Sequence, residues 1–267
     1  MDFLKRSIAP ISQEAWDELD EEATKTLKNV LSGRKVVDFT GPKGWNFDAL
    51  TEGTLDLVDG TPVEGVYYGT RKVTPMTEIR VPFQMPVWAL DDITRGSKTV
   101  DHTPVQEAAR KAAMFEDMAI YYGIEQSRTI GLLSDTDHKP MDMKLDDDAI
   151  AETITKAIQT LKDANVDGPY ALVAPYPLWT KIESSAKTGY PLKKRVKKLV
   201  EKYVLTSQVD ACFLISLRGG DNELVIGQDF SIGYQSTDGK DVNLYITETF
   251  TFKNYSPETI VTFKLKK

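Results

Sequence analysis

Apolar residues at Trp16, Leu19, Ala23, Leu27, Val30 and Leu31 recur at the helical period and predict one amphipathic helix. Ser12 can cap it and Gly33 can stop it, while Asp17, Asp20, Glu21, Lys25 and Lys28 fall on its charged face. From Trp45 to Arg80 the pattern changes to strands and turns. Thr54–Val58 and Val63–Tyr68 flank Asp59-Gly60, a short-range hairpin signal. Between Glu78 and Trp88 the chain alternates, with Ile79, Val81, Phe83, Met85 and Val87 on one face and Pro82 and Pro86 on the other. Proline has no amide to give to a ladder, so this strand is expected to keep an open side or to be irregular.

Thr103-Pro104 reads as a cap followed by proline in the first turn. The helix it opens, to about Tyr122, carries Val105, Ala108, Ala112, Phe115, Ala119 and Tyr122 as its stripe. A further helix is expected from Asp147 to Ala164, with Ile150, Ile154, Ile158 and Leu161 inward and Asp146, Asp147 and Asp148 at the end where the helix dipole favours carboxylates. Ala171–Ala174 predicts a buried strand after the Gly168-Pro169 break. Pro191–Val204 predicts a third helix, and the chain from Val209 onward is mostly strand. Helices and strands are segregated in this order, which makes the fold class α+β. The hairpin of the 49–80 region has too few large apolar residues to form its own core, so it is expected to be an arm that lies on a neighbouring subunit.

Composition narrows the function more than it names it. The 267 residues are 41% hydrophobic, enough for one elaborated domain or two, and no run approaches a membrane span. Lys5 and Arg6 are not followed by an apolar stretch, so no secretory signal is expected. Cys212, the single cysteine, sits beside Phe213, Leu214 and Ile215 and reads as buried strand filler in a reducing compartment, the cytoplasm. The formal charge of -7 argues against packaging nucleic acid, which needs a surplus of Lys and Arg. Lys187–Lys202 is the local exception: a solvated helix face, a nucleic-acid contact or the lining of an opening would each suit it.

The candidate chemistry is sparse. His102 and His138 are the only histidines, both in polar loops, and no nucleophile–base, zinc-protease or paired-cysteine spacing occurs. Asp135, Asp137 and His138 could group around a metal, but an exposed polar loop explains them better. Gly219-Gly220 reads as a turn. Trp88 could stack a planar ligand such as a flavin, or anchor a strand end. Glu248 interrupts the apolar face Val242, Leu244, Ile246, Phe250, Phe252; no second carboxylate pattern accompanies it, so an ion pair with an Arg or Lys is expected there rather than an acid–base role.

Several stretches, in order, span nearly the whole chain: Met1-Asp-Phe-Leu-Lys-Arg-Ser-Ile-Ala-Pro10, Gly33-Arg-Lys-Val-Val-Asp-Phe-Thr-Gly-Pro-Lys-Gly-Trp45, Trp88-Ala-Leu-Asp-Asp-Ile-Thr-Arg-Gly96, Phe115-Glu-Asp117, Gly131-Leu-Leu133, Gly168-Pro-Tyr170, Tyr190-Pro-Leu-Lys-Lys-Arg-Val196, Gly227-Gln-Asp-Phe-Ser-Ile-Gly-Tyr234 and Leu244-Tyr-Ile-Thr-Glu-Thr-Phe-Thr-Phe252. Together these resemble the encapsulins, shell-forming proteins on the tailed-phage major capsid fold (Hong Kong 97 type). The resemblance implies a peripheral domain from 1–48, 81–132 and 222–267, an extended arm at 49–80 and an axial domain at 133–221. It implies a non-enzymatic subunit of a closed icosahedral shell of about 60 copies. The shell would enclose a cargo enzyme, commonly a dye-decolorising peroxidase or a ferritin-like iron protein, held by a C-terminal targeting peptide.

The positions matching the family's cargo groove are Leu27, Leu31, Arg34, Val36, Asp38, Asp229, Phe230, Ile232 and Tyr234. Those matching the loop near the five-fold opening are Ser184, Ser185, Ala186, Lys187, Thr188, Gly189 and Tyr190. No cofactor, metal, nucleic acid or membrane partner is expected. A true phage or virus head protein is the rival on the same fold, and a peptidase is the rival of another class.

Overall fold

The computed structural model describes residues 2–185 and 190–266. The first helix, α1 (Gln13–Val30), begins where the pattern places it: Ser12 Oγ accepts the Ala15 amide at 3.2 Å. Trp16, Leu19, Ala23, Leu27, Val30 and Leu31 are all buried. The helix ends before Gly33, which instead opens a single 3-10 turn, Gly33–Lys35. In chain order there follow β1 (Asp38–Thr40), β2 (Ala49–Leu57), β3 (Gly69–Pro75), β4 (Thr77–Pro86), α2 (Val87–Thr94) and α3 (Thr103–Tyr122). Two short strands, β5 (Gly123–Ile124) and β6 (Thr129–Ile130), lead to β7 (Met141–Lys144), α4 (Asp147–Asp163), β8 (Tyr170–Pro175), α5 (Tyr176–Ser184) and α6 (Leu192–Leu199). The chain then runs through β9 (Lys202–Thr206), β10 (Phe213–Ser216), β11 (Asn222–Ile226), β12 (Ser231–Thr237), β13 (Asp241–Asn254) and β14 (Ile260–Lys266).

Two five-stranded sheets organise these elements. In the first, β13 is the central strand. β11 and β12 lie end to end along one of its edges, β4 lies along the other, and β1 adds in parallel to β11. The helices α1 and α3 pack on the face that carries Leu244, Ile246 and Phe250. The second sheet runs β7-β14-β10-β8-β9. One of its faces is covered by α4, α5 and α6 through Ile150, Ile154, Leu178, Ile182 and Val196. Its other face, Ala171, Val173, Phe213 and Ile215, joins the first core, where the Tyr121 and Phe213 rings meet edge to face at 5.4 Å. Within 222–267, β11 to β13 belong to the first sheet and β14 to the second.

The proline strand has its open side. One step beyond β4, the Val87 amide donates to Lys240 O, so the inward-bonding positions are the odd ones. Pro82 and Pro86 fall at outward positions, where the missing amide costs the ladder nothing and blunts the edge against strand addition.

Several expectations are corrected. The hairpin's second strand is Gly69–Pro75, not Val63–Tyr68: Leu57 pairs with Gly69, and 58–68 form the connecting loop. Pro62 and the left-handed Gly60 and Gly65 break the alternation there. Val87 and Trp88 open α2 instead of ending the strand. The helix α3 starts at Thr103 with His102 as its cap residue, and its buried side is wider than the expected stripe. Phe115 and Tyr122 lie at its margin, partly exposed, while Glu116, Asp117, Ile120 and Tyr121 point inward. The third helix stops at Leu199, since Tyr203 and Val204 belong to β9, which pairs with β8 in parallel. The helix α5 was not expected; with Leu178 and Ile182 as its only fully buried apolar residues, it is too short to show a period.

Candidate functional site

The join between β11 and β12 builds the site. Ile226 faces Phe250 and Ser231 faces Thr247, so the four residues 227–230 stand opposite only Thr249 and Glu248. The Gly227 amide donates to Thr249 O at 2.8 Å and the Thr249 amide to Gln228 O at 2.9 Å, two residues bonding one across a bulge. A Cβ on Gly227 would lie 2.4 Å from Thr249 Oγ1, so this close approach needs glycine. The extra length throws Asp229 and Phe230 out of the ladder toward the 3-10 turn that follows α1.

There they meet Arg34. Its Nε donates to both Glu116 oxygens at 2.9 Å. Its Nη2 lies 2.6 Å from Glu116 Oε2, 2.9 Å from Asp229 Oδ1 and 2.5 Å from Glu248 Oε1. The guanidinium also covers the Phe230 ring at 4.9 Å and the Phe39 ring at 5.2 Å. Glu116 and Glu248 are both fully buried. Burial works against the Arg34 charge, but hydrogen bonding and attraction from Glu116, helped by Glu248, more than offset it. The ion pair expected at Glu248 is present, and its partner is Arg34. The expectation that no second carboxylate accompanies Glu248 is overturned by Glu116, which comes from α3, far away in sequence.

Beside this cluster, Asp117 accepts the Ser32 amide at 3.0 Å, Ser32 Oγ at 2.6 Å and the Gly33 amide at 2.8 Å, fixing the chain as it leaves α1. Burial pushes its carboxyl up to about 6, against the pull of these donors. Glu116 and Asp117 were missed because Phe115 and Tyr122 claimed the stripe. The available signal was their spacing, each four residues after a buried alanine, Ala112 or Ala113.

A narrow cleft of about 30 Å³ lies between α1 and β12, lined by Ala23, Thr24, Leu27, Phe230, Ile232 and Ile246. Its end is closed by Arg6, which grips both Asp20 oxygens at 2.8 and 2.5 Å, donates Nε to Ile232 O at 2.8 Å and lies over the Trp16 ring. Leu27, Phe230 and Ile232 are therefore brought together. Leu31 is buried in the core, and Tyr234 lies past the Arg6 clasp, its amide donating to Leu4 O at 2.8 Å. Val36 and Asp38 line a separate hollow of about 210 Å³ with Arg34 and the 219–222 turn, where the Gly220 amide donates to Asp38 Oδ2 at 2.5 Å.

Of the loop matched to the five-fold opening, Ser184 ends α5, and Ser185 and Tyr190 flank positions 186–189, which lie outside the described residues. Ser185 Oγ donates to Asp147 Oδ2, and Lys181 pairs with Asp147 at 3.0 Å. The basic stretch beyond is a solvated helix face: Lys193 pairs with Glu183, Arg195 with Asp148, and Lys198 covers the Tyr190 ring. Trp88 is 74% exposed in the first turn of α2.

The titratable loops have structural partners. His102 Nε2 bonds Glu18 Oε1, His138 Nε2 donates to Glu258 O, and Asp135 Oδ2 accepts from Asn254 Nδ2. The buried Cys212 thiol is pushed up to about 12 by burial and is not a nucleophile at neutral pH.

Known proteins give this geometry a context. A family model described as an encapsulating protein for peroxidase matches residues 1–251. A type 1 encapsulin shell protein of Mycolicibacterium paratuberculosis is 37% identical over 262 residues, covering 98% of each chain. Among solved structures, a virus-like particle from Pyrococcus furiosus superposes with a TM-score of 0.66 at 16% identity, over 93% of this chain and 99% of that one. The capsid of the Myoviridae phage XM1 gives 0.54 at 13% identity, over 85% and 90%.

Proposed function

The chain belongs to the encapsulin shell-protein family, on the tailed-phage major capsid fold, and from that premise we propose that about 60 copies close into an icosahedral compartment in the cytoplasm. The subunit acts as a wall, without catalysis of its own, and encloses an enzyme, a peroxidase or a ferritin-like iron protein. The observation that carries this reading is the arm. Among the described residues the strands β2 and β3 pair only with each other, and the arm exposes Leu55, Leu57, Val63, Val66 and Tyr67, the last at 95%. An apolar surface of that kind on a two-stranded ribbon requires cover from neighbouring copies. The domain reading follows: 49–80 as the arm between subunits, the first sheet with α1 and α3 as the peripheral part, and the 133–221 region near the symmetry axes.

The cargo peptide docks along α1 and the 227–234 segment, its apolar side chain entering the cleft at Leu27, Phe230 and Ile232. Arg34 and Asp229 support that wall from behind, in the buried cluster, more than they touch the peptide. Val36, Asp38 and Tyr234 extend the surface at its two ends. The loop 184–190 would border the five-fold opening, where repeated copies multiply its charge.

Thr24 is exposed at the mouth of the cleft, so Thr24→Trp fills it without disturbing the Arg34 cluster. Particles purified from the native host would be imaged and their contents identified by mass spectrometry. Closed particles holding an enzyme in the wild type, and at least about tenfold less of it in Thr24→Trp, are expected, a loss of about 1.4 kcal/mol or more in docking. Variant particles that remain fully loaded would place the peptide elsewhere.

A further inference from the structure

The Arg34 cluster holds more negative charge than its cation can answer. Three carboxyls, from α3, β13 and the bulge, converge on one guanidinium. A single nitrogen, Nη2, has two hydrogens for three oxygens within 2.9 Å. Glu248 Oε2 is buried and, among the described residues, has no donor in reach. The other elements around it bring no relief. On β4 the residue facing Glu248 is Ile79, and the flanking Glu78 and Arg80 point to the opposite face, where Arg80 covers Tyr245. On α3 the next titratable groups are Asp117 and Tyr121, engaged with Ser32, and they add no positive charge.

We propose that Glu248 is held as a neutral carboxylic acid that shares its proton with Glu116, and that this buried proton locks the 227–230 bulge onto the end of α1. With the proton in place the cluster is Arg34 against two charges, Glu116 and Asp229, and the free oxygen of Glu248 becomes half of an acid–carboxylate hydrogen bond. Burial first, then repulsion from Glu116, drives the Glu248 carboxyl well above its ordinary range, with Arg34 opposing. Removing the proton leaves three carboxylates, two of them fully buried, competing for the two hydrogens of Nη2. The weakest link is the more exposed Asp229, whose Oδ1 also accepts the Phe230 amide at 2.9 Å. The segment that carries Phe230 would then loosen. This lock belongs to the subunit's fold and does not depend on what occupies the cleft.

The sign of the effect follows from linkage. The native state keeps a proton that the unfolded chain releases near 4.5. Stability from this group is therefore greatest below that value and falls as pH rises, until Glu248 ionises in the native state. The unfolding equilibrium changes about tenfold per pH unit across that window.

Glu248→Gln keeps the shape and cannot lose the proton. We would record melting of intact wild-type and variant particles from about pH 5 to about pH 9 at one scan rate. The melting temperature of the variant, measured relative to wild type, should rise steadily with pH. Parallel curves would overturn the proposal. Infrared spectra of wild-type particles at neutral pH supply a second reading that needs no variant to fold. A protonated-carboxyl carbonyl band, shifting on exchange into heavy water, is expected, and its absence would equally overturn the proposal.

Discussion

Asp117 on α3 receives the backbone of Gly33 directly, its Oδ1 accepting the Gly33 amide at 2.8 Å while Oδ2 takes Ser32 Oγ at 2.6 Å. One carboxylate thus ties the exit of α1 to the central helix. Asp117→Ala orphans two buried amides, while Ser32 Oγ keeps its hydrogen bond to Tyr121 Oη at 2.7 Å. At about 1–3 kcal/mol for each buried donor left unpaired, the loss should reach about 2 kcal/mol or more. The melting temperature of the particle and of the subunit checks it. A variant within about 0.5 kcal/mol of wild type would show that water or another group satisfies the donors.

The same carboxyl gives a pH signature distinct from that of Glu248. Asp117 is held up to about 6 by burial, against 3.8 for an ordinary aspartate. Below 3.8 both the native and the unfolded states hold its proton. Between there and about 6 only the native state does, so stability falls as pH rises through that window and levels above it. Asp117→Asn should remove this slope between about pH 4 and about pH 6 and leave the dependence at higher pH. Melting scans at half-unit steps would show it. An unchanged slope below pH 6 would assign that dependence to other groups.

Gly33 is required by contact, not by backbone conformation. A Cβ there would lie 2.5 Å from Ile120 Cδ1. Gly33→Ala should therefore cost about 1–3 kcal/mol by overpacking. Ile120→Val removes the colliding methyl, so the double variant should recover part of that loss, giving a coupling measurable in a double-mutant cycle. Additive losses would mean that the strain is relieved elsewhere.

The parts legible in the sequence are those governed by local rules. Ser12 and the stripe from Trp16 to Val30 fix α1, and the alternation from Ile79 to Met85 fixes β4, because periodicity records which face is buried. Glu248 was visible as an anomaly because a carboxylate breaks that alternation. Its partner Arg34 and its rival Glu116 were not, since they are separated from it by 214 and 132 positions and only the packing of α1, α3 and β13 brings them together. The hairpin was misplaced because Val63, Val66, Tyr67 and Tyr68 imitate a strand while lying exposed in a loop. Their apolar side chains serve no core of this chain, so a pattern that records buried faces misplaces them. The candidate cleft came from resemblance to a family; the geometry brings Leu27, Phe230 and Ile232 together and divides the other matched residues among the Arg34 cluster, the core, the Asp38 hollow and the strand past Arg6.

That loop supplies the last prediction. Residues 59–67 contribute nothing to the subunit's own core: Val63, Val66 and Tyr67 are exposed, and the ribbon closes before them, where the Val58 amide donates to Tyr68 O at 3.2 Å. Replacing 59–67 with Asn-Gly joins Val58 and Tyr68 by a tight hairpin turn on that hydrogen-bonded pair and preserves the ladder. Subunit folding, read by circular dichroism and by the melting temperature of the unassembled fraction, should change by less than about 0.5 kcal/mol, as for a surface change. If the arm lies between copies as proposed, assembly should fail, because the exposed apolar residues Val63, Val66 and Tyr67 are removed. Size-exclusion chromatography and electron microscopy separate the outcomes. Small folded species without closed particles are expected. Uniform closed shells from the shortened chain would show that the loop is dispensable and that contacts between copies are made by the ladder of the arm alone.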